Sequence, residues 1–277
     1  MRDRKTAAVL LAALAVSGFL LHILWTRGVY GNLSADTCES MLFRQMKVTP
    51  GVYRTAVDFA GEHSCDTMKV LAAIMILERL EPSDSFRLDM DTWQRTVEVL
   101  EACRAEAFAA LTRAYRAVFE GIRRFPVSSQ GAGGRFSYED TFGEDRNYGG
   151  QRMHEGCDVF GENTGSGVYP VVSVCDGYVE KVGWLTLGGY RIGIRSSDGG
   201  YFYYAHLDSY EQDFQVGDTV RAGEILGLMG DTGYGEEGSR GKFPVHLHFG
   251  CYIRTAHFEE LSVNSYPILR ILEEKQG

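Results

Sequence analysis

The distribution of glycine divides this chain more sharply than any other feature. Residues 1–126 hold six of the 33 glycines and residues 127–277 hold the other 27, so the texture changes near Pro126. Glycine is costly inside helices and favoured where the backbone turns tightly, which predicts a helical first part and a turn-rich second part. After Gln130 short apolar or alternating runs follow one another: Tyr169 to Val174, Tyr178 to Trp184, Tyr190 to Ile194, Tyr201 to Leu207, Glu224 to Met229 and Val245 to Tyr252. Asp176-Gly177, Gly188-Gly189 and Asp198-Gly199-Gly200 lie between them. This spacing predicts an antiparallel all-β domain, closed by a short helix after Pro267. The fold class is α+β.

Upstream the period is helical. Between Asp91 and Arg123 the residues Trp93, Val97, Leu100, Phe108, Leu111, Tyr115, Val118 and Ile122 recur at intervals of three, four or eight. They predict one amphipathic helix about 50 Å long, with Asp91 as N-cap and Pro126 as stop. Met68, Leu71, Ala72, Met75 and Ile76 mark a shorter helix broken at Glu81-Pro82-Ser83, and Cys38 to Val48 marks another. No metal-ligand spacing or carboxylate pair gives this module chemistry. Its apolar residues read as core, and a protein partner is its other use.

The first residues differ again. Thr6 to Trp25 carry no formal charge, and a helix of that length spans about 30 Å, the thickness of a bilayer core. Arg2, Arg4 and Lys5 precede it, which predicts a cytoplasmic N-terminus, a single-pass anchor in the lipid bilayer through residues 6–25, and residues 28–277 outside the cell. A cleaved signal peptide would end its apolar region at a small-x-small site, but Ala13, Leu14 and Ala15 lie inside a run that continues to Trp25. The domain plan is then 1–30 tip and transmembrane anchor, 31–126 helical module, and 127–277 β domain. At 44% hydrophobic and 23% charged residues, the chain is neither mostly disordered nor a many-span membrane protein. A net charge of -9 argues against nucleic acid, whose phosphates need a basic face.

Chemistry concentrates in the histidines of the β half. In Val245-His246-Leu247-His248-Phe249 the period of two puts both imidazoles on one face and the apolar residues on the other. In His154-Glu155-Gly156-Cys157-Asp158 the same alternation sends His154, Gly156 and Asp158 to one side, with glycine leaving space between imidazole and carboxylate. Such ligands suit zinc. One histidine of the His246/His248 pair added to His154 and Asp158 makes three ligands and an open fourth position, the plan of a catalytic site. A cupin-like site also uses His-x-His but expects a glutamate a few residues on, where this chain has Phe249, Gly250, Cys251 and Tyr252.

The segments RNYGGQRMHEGCD, GGYFYYAHL, GDTVRAGEILGLMGDTG and VHLHFG resemble the bacterial peptidoglycan zinc endopeptidases of the lysostaphin and LytM type, in that family's order, from about Arg146 to Tyr252. The resemblance implies the β-sandwich called the duplicated hybrid motif, one zinc ion on His154, Asp158 and His248, and His206 and His246 as unliganded catalytic histidines. It implies a peptide cross-link or stem of peptidoglycan as substrate. Cys157 is itself a good zinc ligand, but alternation sends it to the core side. Asn147 and Tyr148, in the loop ahead of His154, are candidates for substrate contact. A wall-binding or scaffolding protein of the same fold that recruits or activates other hydrolases is the competing expectation. The six cysteines fall three on each side of Pro126, so pairing all of them requires a bridge between the modules; export permits disulfides without requiring them.

Overall fold

Short polar side chains start the helices. The computed structural model describes residues 16–18, 28, 30, 31, 33–129, 133–147 and 151–276. After a 3-10 turn at Ala35–Glu39 come α1 (Met41–Arg44), α2 (Pro50–His63), α3 (Thr67–Leu77), α4 (Met90–Cys103) and α5 (Ala105–Phe119). Ser40, Thr49, Asp66 and Asp89 each accept a hydrogen bond from the backbone N–H three residues on, satisfying a donor the helix leaves unpaired. Thr49-Pro50 starts α2, which apolar spacing alone does not mark. The helix expected over Cys38 to Val48 is only the 3-10 turn and the single turn of α1.

The long helix expected from Asp91 is two helices, capped by Asp89 and broken at Arg104, whose φ of -143° and ψ of 30° leave the helical region. The reason is in the spacing: eight residues separate Leu100 from Phe108, which rotates the second about 80° off the stripe of the first. A straight helix could not bury both, whereas the broken pair leaves them 0% and 3% exposed. Pro126 does not stop α5, which ends at Phe119. It lies beyond, where its carbonyl accepts from the Val172 N–H at 2.8 Å.

The strands are β1 (Phe136–Tyr138), β2 (Asp145–Arg146), β3 (Arg152–Met153), β4 (Cys157–Gly161), β5 (Pro170–Val172), β6 (Gly177–Leu185), β7 (Gly189–Ser196), β8 (Tyr201–Tyr210), β9 (Thr219–Val220), β10 (Ile225–Met229), β11 (Leu247–Ile253) and β12 (Leu261–Val263), followed by α6 (Tyr266–Gln276). All but β2 and β3, which pair with each other, form one ten-stranded sheet in the order β1-β4-β11-β8-β7-β6-β9, with β12 on β11 and β10 joining β8 to β5. Every pairing is antiparallel. The expected sandwich is thus a single hydrogen-bonded sheet that branches at β8. Residues 201–205 of β8 pair with β11 and residues 207–210 pair with β10, so His206 stands where the neighbour changes.

The helices back this sheet. α5 packs on β11, α1 on β12 and α2 on α6, and one apolar core runs from the helices into the strands. Leu247, Phe249 and Cys251 of β11 face that core at 0% exposure. Arg44 of α1 donates to the Ser262 hydroxyl at 2.7 Å, fastening the helices to β12. No disulfide forms: all six cysteines are free, and four of them, Cys38, Cys157, Cys175 and Cys251, are buried. Of the anchor expected over residues 6–25, only residues 16–18 are described, and they are helical; the rest lies outside the described residues. Among the described residues no helix is long and apolar enough to cross a membrane.

The helix-to-sheet contact is close enough to test. A Cβ on Gly200, at the start of β8, would overlap the backbone carbonyl oxygen of Ala117 in α5, whereas one on Gly61 in α2 meets nothing within 4 Å. Urea unfolding should show Gly200→Ala less stable by about 1–3 kcal/mol and Gly61→Ala equal to the parent or more stable by up to about 1 kcal/mol. Equal stability of Gly200→Ala and the parent would mean that α5 does not rest on the sheet.

Candidate metal centre and cleft

Register builds the site. β11 lies between β4 and β8 with His248 opposite Asp158 on one side and Ala205 on the other, so Asp158 and His248 share the face opposite to Cys157, Leu247 and Phe249. His154 precedes β4. Its N–H donates to the Glu144 carbonyl at 2.8 Å and its carbonyl accepts from Gly143 at 2.9 Å, which ties it to the loop before β2. A Cβ on Gly156 would lie 2.7 Å from His248 Cε1, so only glycine lets the His248 ring occupy its place.

These elements bring three atoms together. His154 Nε2, Asp158 Oδ1 and His248 Nδ1 are mutually 3.0 Å apart. No arrangement of protons satisfies that triangle. If both imidazoles donate to the carboxylate, their N–H groups face each other, and if only one donates, two lone pairs do. A single cation satisfies all three atoms. A tetrahedral ion with zinc bond lengths separates its ligand atoms by roughly 3.3 Å, a few tenths of an ångström more than this triangle, so two imidazoles and a carboxylate fit zinc in both chemistry and size. Burial alone would raise the pKa of the Asp158 carboxyl, but hydrogen bonds from His154 and His248 and the charges of His248 and His246 hold it well below the usual carboxylate range. Burial lowers the pKa of His248. Both groups therefore offer lone pairs at neutral pH.

Cys157 is not part of the set. Its side chain is 0% exposed, its Sγ donates to the Glu139 carbonyl at 3.2 Å, and burial raises its thiol pKa. Among the described residues one other trio lies within ligand range, Asp36, Glu39 and His257, on the surface where the 3-10 turn meets the segment after β11.

His206 and His246 stand beside the triangle. His206 has φ 63° and falls at a register shift between β7 and β8, a bulge that turns its ring into the cleft. Its Nδ1 donates to the Thr232 carbonyl at 2.8 Å. His246 Nδ1 donates to the Pro244 carbonyl at 2.8 Å. A carbonyl only accepts, so both neutral rings carry their proton on Nδ1 and keep a lone pair on Nε2. His246 Nε2 lies 3.7 Å from Asp158 Oδ1. Burial lowers both pKa values, and the charges of His246 and His248 lower that of His206 further.

Several contributors were not singled out from the sequence. Arg146 pairs with Asp158 Oδ2 at 2.9 Å, fixing the carboxylate from behind; no spacing rule marks it. Phe160 stacks on His246 with ring centroids 5.1 Å apart, and alternation counted on from Asp158 would have found it. Phe243 contacts both His206 and His246. Together these residues line a cleft of about 840 Å³. Asn147 is exposed and is not among the residues lining that cleft, and Tyr148 lies outside the described residues.

Residues 152–260 match the model of peptidase family M23. Over 166 residues the chain is 40% identical to the L-Ala–D-Glu endopeptidase of Bacillus subtilis, a match covering 60% of this chain and 48% of that protein. It is 38% identical to lysostaphin of Staphylococcus simulans over 99 residues, 35% of this chain and 17% of that one. The crystal structure of a protein assigned as glycyl-glycine endopeptidase lytM from Ruminococcus gnavus is similar at a TM-score of 0.71 and 38% identity, covering 85% of this chain and 92% of that chain. That share is larger than residues 127–277 alone could supply, so the likeness extends into the helices. The chain spans about half the length of the Bacillus relative and less of lysostaphin.

Metal analysis of purified variants reads the ligand set directly. Asp158→Ala and His248→Ala should lose the metal, Cys157→Ser and His246→Ala should keep one ion per chain, and Gly156→Ala should lose it although the glycine carries no ligand atom. Metal loss in Cys157→Ser with retention in Asp158→Ala would overturn the assignment.

Proposed function

The chain belongs to peptidase family M23, and from that premise we propose that it is a zinc-dependent endopeptidase that hydrolyses peptide bonds in peptidoglycan cross-links or stem peptides at the outer cell surface. The observation that carries this reading is the convergence of His154, Asp158 and His248 on one point beside two histidines that each present Nε2. Bound there, zinc supplies a Lewis acid that polarises a carbonyl and acidifies water. The chain's own residues do the rest. His246 Nε2, nearer to Asp158, accepts the proton of the attacking water. It then gives that proton to the departing amine, while His206, held by Thr232, presents its Nε2 lone pair as a second acceptor beside it. Arg146 holds Asp158 in place, and Phe160 and Phe243 restrict the His246 ring and exclude water around it.

The same reading takes residues 127–277 as the peptidase domain with the duplicated hybrid motif, which the branched antiparallel sheet supports. Residues 31–126 form the helical module, and residues 1–30 carry an anchor that leaves the N-terminus cytoplasmic and residues 28–277 outside. The uncharged run from Thr6 to Trp25 and the basic residues before it support that topology. A scaffold that only recruits other hydrolases would have no use for both Nδ1-protonated histidines, and their geometry favours the enzyme.

Purified peptidoglycan incubated with the chain should release new amino groups. A chelator should stop the release, added zinc should restore it, and zinc-loaded His246→Ala should be slower by about 10²–10⁴-fold. Because the pKa values of His206 and His246 are lowered, their base forms persist below pH 6.5. The rate should therefore stay level from pH 8 to about 6.5 and fall only at more acidic pH. Release that ignores the chelator, or none at all, would contradict the proposal.

A further inference from the structure

The cleft contains cationic groups that the peptidase chemistry does not use. Most of its positive side chains are committed: Arg146 to Asp158, Lys181 to Glu260, and Lys242 to the Tyr234 carbonyl at 2.5 Å. Arg191 is different. Among the described residues its guanidinium makes no ion pair, and its Nη1 is buried without a hydrogen-bond partner. Arg152 donates through Nη2 to the Tyr234 hydroxyl at 2.8 Å, while its Nε is likewise buried and unpartnered. Buried donors of this kind are rare and costly unless something accepts from them.

Their position gives the acceptor a location. Both arginines line the same cleft as the histidines. In the sheet His248 pairs with Ala205, and Arg191 lies on the far side of β8, opposite the bulge that follows Ala205. Arg191 therefore starts two strand spacings, about 10 Å, from His248. The small Ala205 between them leaves the floor open. Tyr203 lines the same cleft and feels both guanidiniums: burial pushes its phenol up to about 12 against the pull of Arg191 and Arg152. An extended peptide rises about 3.3 Å per residue, so a side group two or three residues from the bond at the metal reaches this point.

We propose that Arg191 and Arg152 form a carboxylate subsite that makes the cleft selective for an acidic peptide over an all-glycine one. The proposal rests on the peptidase reading for the scissile bond, and it names the substrate class. Guanidinium and carboxylate are matched in geometry, with paired N–H donors facing two oxygens. The chain as a whole is acidic, at -9, so attraction of an anion here is local rather than general.

Calorimetric binding to the zinc-loaded His246→Ala chain, all 277 residues, tests this. The probes are acetyl-L-Ala-γ-D-Glu-L-Lys-D-Ala-D-Ala amide, whose free glutamate carboxylate lies two and three residues from the two bonds to D-Ala, the same peptide with that group as a carboxamide, and pentaglycine amide. The acid should bind about tenfold or more tightly than the other two, and adding Arg191→Met should bring the acid to within about twofold of the carboxamide while leaving the carboxamide's affinity unchanged. That unchanged affinity reports an intact cleft. Equal affinities in the parent, no binding of either, or a preference that survives Arg191→Met would overturn the proposal. Hydrolysis by the unsubstituted chain separates the two readings: selective binding of the acid without cleavage of any probe leaves the subsite and removes the peptidase, whereas equal cleavage and equal binding leaves the peptidase and removes the subsite.

Discussion

The pairing of β11 between β4 and β8 is the constraint on which the rest depends. It places His248 beside Asp158 while Leu247 and Phe249 enter the core. Because side chains alternate, a slip of one residue would send His248 inward and Leu247 and Phe249 into the cleft. The cost of burying an imidazole and exposing Leu and Phe keeps the register, and the register in turn keeps Asp158 Oδ1 and His248 Nδ1 together. The helices contribute by covering the apolar side of β11, so the module before Pro126 and the site after it are parts of one packing arrangement.

Precision at the site comes from backbone irregularity as much as from strands. His206 occupies left-handed backbone space, which a side-chain-bearing residue adopts at a cost of about 1–3 kcal/mol. The surroundings hold it there: its N–H donates to the Gly188 carbonyl at 2.8 Å, and its ring donates to Thr232, whose own hydroxyl donates to the Leu207 carbonyl at 2.7 Å. The same bulge marks the branch of the sheet, where β8 leaves β11 for β10. One irregular residue thus ends one strand pairing, begins another and aims an imidazole.

Much of this was legible in the sequence because it follows from period. The strands carrying His206 and His248, the shared face of His246 and His248, the inward Cys157 and the company of His154 and Asp158 all come from alternation. What escaped came from contacts that no period encodes. The break at Arg104 was present as an eight-residue interval but gives way only when both apolar faces must meet α3 and the sheet. Arg146 reaches Asp158 from a two-residue strand, and Arg191, whose Nη1 has no hydrogen-bond partner among the described residues, becomes visible only once the sheet places it across Ala205. Asn147, in the loop ahead of His154, is exposed and does not line the cleft.

The central claim is that two imidazoles and one carboxylate from separated stretches hold a single ion with no sulfur among its ligands. X-ray absorption at the zinc edge of the loaded protein measures this directly. The account predicts a shell of nitrogen and oxygen at about 2.0–2.2 Å with the multiple-scattering signature of two imidazoles. A sulfur neighbour at about 2.3 Å, or a spectrum unchanged when His248 is replaced, would contradict it.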